Sequence, residues 1–280
     1  MTTIAAAPAR PAVRNPLSRL AVEAQARQPR LAAAAELCLL GAVPVLLAAL
    51  VDDRQVNDVN IWLKPLKFLM SLAIYYVTLA WFHGYLSEEV RAARLGRVLV
   101  GLPIAVGLLE MTWLLGTAAV GQPAHFNQSA PIYAISYSLA GLGATLLMLT
   151  ALATGILVGR ARVPSLPPAY RQAIVLGSVV AFVGTMLTAG FLASGSGHWV
   201  GGVPSDASGL PLLGWSRMGG DLRIAHFFSL HALQVLPLLG WVATRRGSER
   251  GRTVVWIGAA LYVGWIAFTF LGALAGRPLV

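Results

Sequence analysis

Apolar residues in this chain fall into long runs rather than alternating or one-faced patterns. Seven stretches, about 31–51, 62–84, 98–120, 132–158, 172–194, 222–243 and 254–276, are each long enough to cross a bilayer as a helix. The pattern predicts an all-α fold, a polytopic membrane protein built as a seven-helix transmembrane bundle. The connections carry the arginines, and they carry them on one side. Arg10, Arg14, Arg19, Arg27 and Arg30 precede the first span; Arg91, Arg94 and Arg97 follow the second. Arg160, Arg162 and Arg171 follow the fourth, and Arg245, Arg246, Arg250 and Arg252 the sixth. By the positive-inside rule that side is cytoplasmic, with the N-terminus inside and the C-terminus outside. Residues 1–30 read as a disordered basic cytoplasmic tail, and 31–280 as the membrane domain.

Composition sharpens this without redirecting it. The chain is 57% hydrophobic and only 11% charged, and its net charge of +10 is dispersed among short loops. Such dispersal argues for a lipid bilayer as partner and against nucleic acid. The single cysteine, Cys38, lies inside the first span, which excludes an internal disulfide and a cysteine-rich metal site.

Against this background the polar residues inside spans stand out, because each costs several kcal/mol in hydrocarbon unless paired. The stretch from Gly219 to Trp241 carries Asp221, Arg223, His226, His231 and Gln234. At about 100° per residue, the last four fall within an arc of about 140°, a side that faces protein or water rather than lipid. Gly219-Gly220-Asp221 predicts a turn into the helix, with Asp221 as N-cap and Arg223 as its ion partner. Pro237 frees the carbonyl of Leu233 close to Gln234. Glu110 lies mid-span on a face with Pro103, Gly107 and Thr117, at a depth close to that of His231. Glu110, His231 and Gln234 are therefore candidates for proton exchange.

Asn60, Lys64, Lys67, Ser71 and Tyr75 form one polar stripe if their helix is continuous. Lys64 and Lys67, the only lysines, are candidate ligands for an anionic group, together with Arg223, Asn60 and Asn127. The alternative is that both lysines snorkel to lipid phosphates, with Pro65 opening the helix. The loop from Gly195 to Gly220 holds eight glycines among twenty-six residues, with Pro204, Pro211 and Trp215 interspersed. It reads as a folded outer lid rather than a flexible linker. Gly272 and Gly276 stand at GxxxG spacing, which suits close helix contact within the bundle or with a partner subunit.

Four of the five histidines lie toward the outer side. His226, His125 and His198 are the candidate ligands if a metal or haem is bound. Their spacing is a poor match, since His226 and His231 are five residues apart, unlike an i, i+4 metal pair.

NIWLKPLKF, the HFN at His125 to Asn127, and GLPLLGWSRMGGDLRIAHFFSLHALQVLPL resemble a bacterial family of multi-pass membrane proteins that brings no assigned reaction or ligand. The resemblance covers most of the chain after the basic tail and implies the inner (cytoplasmic) membrane of a bacterium. Taken together, these residues predict an outward-opening polar pocket for a small polar or amphipathic ligand, with proton exchange serving transport or chemistry on a lipid-soluble substrate. Two other readings stay open: a metal- or haem-dependent membrane oxidoreductase, and an accessory subunit whose polar residues only hold helices together.

Overall fold

The computed structural model describes residues 15–161, 163–195 and 197–280. Residues 1–14 of the expected tail, with Arg10 and Arg14, lie outside that set, as do Arg162 and Ser196.

The chain folds as an all-α bundle. Among the described residues, seven helices are long and apolar enough to cross a membrane. They are α2 (Pro29–Val51), α3 (Leu63–His83), α5 (Arg94–Ala119), α6 (Pro131–Arg160), α7 (Pro168–Ser194), α8 (Leu222–Ala243) and α9 (Ser248–Leu274). Proline opens α2, α6 and α7 at positions where its missing N–H has no intrahelical partner to lose. The apolar faces left outward carry side chains such as Leu47, Leu109, Leu139, Leu187 and Leu261, as expected of helices in contact with lipid. Two shorter helices, α1 (Pro16–Arg27) and α4 (Glu88–Ala92), lie at the arginine-rich end.

Helix α1 corrects the expected disorder of residues 1–30 over its own length. Asn15 caps it by accepting from the Leu17 amide at 2.9 Å, and Pro16 occupies the first turn. Tertiary contacts then fix it. Arg27 pairs with Glu23 at 2.8 Å and donates to the Trp81 carbonyl at 3.2 Å. Its guanidinium also lies 4.3 Å from the Trp81 ring centre and 4.6 Å from that of Tyr85.

Helix α3 occupies the middle, packing on α2, α5 and α6. Tyr75 donates to the Leu147 carbonyl of α6 at 2.6 Å, and Tyr76 to the Pro103 carbonyl of α5 at 3.0 Å. The face of α5 carrying Pro103, Gly107, Glu110 and Thr117 is buried, as its small and polar residues suggested. Helices α7 and α8 pack together along their length. A Cβ added at Gly177 would lie 2.8 Å from the Ala232 carbonyl oxygen, and one at Gly184 2.7 Å from the Ser229 hydroxyl. Only glycine lets these backbones approach so far. The Gly272–Gly276 pair makes no such contact. Gly272 faces open space, and Gly276 lies beyond the end of α9 with φ +69°.

At the arginine-poor end, two short hairpins organise the loops. Strands β1 (Gln55–Val56) and β2 (Val59–Asn60) pair across Asn57 and Asp58, whose φ values of +55° and +65° make the turn that favours Asn and Asp. Strands β3 (Trp199–Val200) and β4 (Gly220–Asp221) pair at the base of the glycine-rich loop and bring its two ends together. Glycine is required there, because a Cβ at Gly219 would lie 2.5 Å from the Gly201 carbonyl oxygen.

Candidate functional site

The polar residues at the arginine-poor end divide into a neutralised latch and an uncompensated pair of lysines. The latch begins at Asp221, which caps α8 by accepting from the Arg223 amide at 3.0 Å. The Arg223 guanidinium returns to Asp221 at 2.7 Å and spans to Asp206 at 2.7 and 3.2 Å. It also donates to the Gly214 carbonyl at 2.6 Å. His198 Nε2 donates to Asp206 at 3.1 Å, and the Ser216 amide to Asp221 at 2.9 Å. Burial works to raise the Asp206 carboxyl, but the His198 hydrogen bond and the Arg223 charge outweigh it and hold it below the usual carboxylate value.

Arg223 was expected to attract an anionic ligand. Two carboxylates already balance its charge, so its observed work is to bind the loop to α8. The loop also docks on the first hairpin, where Ser205 donates to Asp58 at 2.6 Å. Trp215 seals it from above, packing edge-on to Phe227 with ring centres 5.4 Å apart. The glycine-rich segment is thus a pinned, folded cover.

Lys64 and Lys67 have no such balance. Among the described residues neither forms an ion pair, and Lys67 reaches only the Leu213 carbonyl, at 3.4 Å. Among the described residues Lys64 has no acceptor within hydrogen-bonding distance, although Lys67, Arg223 and Asp206 lie close enough for their charges to act on it. Both lysines keep only intermediate exposure at the start of α3, whose first residue is Leu63. Pro65 is therefore the third residue of the helix rather than the first, still within the turn where its lack of an N–H is harmless.

Beside the lysines stand two imidazoles. His226 Nδ1 is 3.1 Å from the Thr188 hydroxyl of α7. That hydroxyl lies 2.8 Å from the Gly184 carbonyl. Having one proton, it donates there and accepts from Nδ1–H, which leaves Nε2 of His226 with the lone pair. His125, in the α5–α6 loop, sits between Phe68 and Tyr137, with ring centres 6.1 and 5.4 Å away. Its Nδ1 is buried without a partner. Burial pushes this imidazole well below its ordinary pKa, with Lys64 and His226 adding to the effect.

The other expected site residues go elsewhere. Asn60 precedes α3 rather than extending its polar stripe. Its amide donates to the Ala49 and Asp52 carbonyls at 3.2 and 2.6 Å, closing the end of α2, and its oxygen accepts from the Trp62 amide. Asn127 is likewise taken up by its own loop, donating to Gln122 and Pro123 and accepting from Ser129. Gln234 ties α8 to α3 through the Thr78 hydroxyl at 3.1 Å. Glu110 and His231 form no hydrogen bond with each other. Glu110 lies against Gly143 of α6, and His231 against the ring of Phe227 at 4.2 Å. Equal depth did not make them neighbours, because α5 packs on α3 and α6 whereas α8 packs on α7 and α9.

The histidines expected to share a metal are similarly dispersed. His198 pairs with Asp206 and His226 with Thr188, and His125 stands among aromatic rings. Among the described residues no group of three His, Cys, Asp or Glu is placed to hold a metal ion. A cavity of about 340 Å³ opens at this end between α8, α9 and residues 275–279, away from the lysines.

Arg54 went unnoticed in the sequence. It pairs with Asp52 at 2.6 Å and donates to the Ala119 and Ala118 carbonyls at 3.1 and 3.4 Å, so it caps α5 while holding the first hairpin. Hydrogen bonds from Arg54 and Trp62 hold the Asp52 carboxyl well below its ordinary range. The signal available was an acidic residue two positions before a lone arginine on the arginine-poor side.

No protein-family model matches the chain, and neither a curated protein nor a solved structure matches it.

Proposed function

We propose that this multi-pass membrane protein binds a small anionic molecule at its arginine-poor end, beneath the loop from Gly195 to Gly220. The observation that carries the reading is the contrast in charge balance: Arg223 sits between two carboxylates, whereas among the described residues neither Lys64 nor Lys67 forms an ion pair, Asp206 acting on both only from a distance. A partly buried ammonium without a counterion is costly, and a bound anion offsets that cost. Lys64 and Lys67 take the charge, and His125 Nδ1, close to Lys64, is a buried polar atom without a partner among the described residues. Phe68 and Tyr137 flank His125 and suit an apolar or aromatic portion of the ligand. The arginine asymmetry supports an outward-facing position for this end, and the resemblance to bacterial multi-pass proteins supports a cytoplasmic-membrane location.

Calorimetric titration of the purified protein with benzoate, against uncharged benzamide, tests this. Each lysine contributes a charge-assisted hydrogen bond of about 1.5–3 kcal/mol, so Lys64→Met or Lys67→Met weakens benzoate roughly 10- to 150-fold. The reading is overturned if benzoate, phosphate and sulfate bind the double variant as well as the wild type, or bind neither.

A further inference from the structure

At the opposite, arginine-rich end, a polar cleft of about 320 Å³ opens between α1, the turn from α3 to α4, and the α6–α7 loop. Glu23, Arg27, Gly84, Tyr85, Arg91 and Ser165 line it. Most of the described arginines at this end are exposed on helices, but Arg27 is held rigidly. Its Nε is fixed by Glu23 and its Nη1 by the Trp81 carbonyl, while Trp81 and Tyr85 stack on its plane. Glycine at position 84 makes room for it, since a Cβ there would lie 2.8 Å from the Arg27 side chain. That leaves Nη2 as a positioned donor without a partner among the described residues.

Across the cleft, Arg91 is exposed, and its side chain makes no hydrogen bond or ion pair among the described residues. His83, one residue before Gly84, keeps a buried Nδ1 with no partner and lies against the backbone of Arg27, within reach of the Arg91 charge. Two guanidiniums face one carboxylate, Glu23, so the cleft carries an excess positive charge. A fixed planar guanidinium, an exposed second one and the Ser165 hydroxyl match the oxygens of a tetrahedral oxyanion.

We infer that this cleft binds a phosphate group, held by Arg27 Nη2, Arg91 and the Ser165 hydroxyl. Both a phospholipid headgroup of the adjoining leaflet and a soluble phosphate present that chemistry. The site is separate from the lysine pair, and its occupancy would tie α1 to the α6–α7 loop.

Thermal stability of the full chain in nanodiscs tests the inference and separates the two sources. In phosphate-free buffer, a higher Tm in phosphatidylglycerol than in phosphatidylcholine indicates the headgroup. In phosphatidylcholine alone, a higher Tm with inorganic phosphate than with chloride at equal ionic strength indicates the soluble ion. In either case Arg91→Gln removes the rise, and Ser165→Ala diminishes it. Arg91 makes no side-chain contact that folding depends on, so its variant remains a fair comparison. If neither condition raises the wild-type Tm, or if Arg91→Gln keeps the full rise, the cleft holds no phosphate.

Discussion

Replacing Arg223 by Gln tests whether the latch holds the loop down. The arginine side chain is 25% exposed, but its partners are far less so: Asp206 is 6% exposed and Asp221 fully buried. The variant leaves two buried carboxylates without their shared cation and the Gly214 carbonyl without its donor. Breaking a buried pair from one side costs about 3–5 kcal/mol. Here the loop relieves that cost by opening, so its opening equilibrium rises about 10²- to 4 × 10³-fold at about 1.4 kcal/mol per tenfold. Hydrogen exchange reads this directly at the amides of Leu210, Gly214 and Ser216, which bond to Trp215, Leu210 and Asp221 respectively. Half-buried Ser205 supplies the contrast: Ser205→Ala loses its hydrogen bond to Asp58 and the one from the Ala207 amide, worth about 1 kcal/mol each, and speeds exchange no more than about 30-fold. Unchanged exchange in Arg223→Gln, or equal acceleration in both variants, refutes the latch.

Two further outcomes follow from packing and burial. Gly177→Ala places a methyl group against the Ala232 carbonyl and the Pro237 ring, costing about 1–3 kcal/mol, whereas Gly190→Ala enters open space; detergent-solubilised Tm values that fall equally, or not at all, contradict the close α7–α8 contact. Because the His125 pKa is depressed in the fold, its contribution is complete above about pH 6.5 and declines as pH falls toward the folded value, by at most about 1.4 kcal/mol per pH unit. Stability measured from pH 7.5 downward therefore falls less steeply in His125→Phe than in the wild type, and identical slopes dispose of the point.

Hydropathy alone gives the seven helices, because each span must satisfy its backbone internally and so must be long, apolar and helical. The Asp221–Arg223 cap was legible for a similar reason: it depends only on positions two residues apart. The helix α1 was legible in principle from Asn15-Pro16, but the basic composition around it suggested disorder. What sequence could not supply is which helices are neighbours. Glu110 and His231 share a depth yet belong to helices with different partners, whereas His226 and Thr188 meet because α7 and α8 touch along their length. Asn60 and Asn127 were misread because their neighbouring backbone turns through positive φ at Asn57, Asp58 and Phe126, which brings carbonyls within reach of each amide.

The glycines between α7 and α8 bear on how the molecule can move. With the Gly177 backbone against the Ala232 carbonyl and Gly184 against Ser229, the two helices mesh like gear teeth, and neither can slide or roll without a collision. They form a single stiff plate, to which Thr188 and His226 are fixed. On the proposed reading, a ligand reaches the lysines through the lifting of the loop whose Leu213 carbonyl rests on Lys67. Such a division would give the proposed site one stationary wall and one movable one.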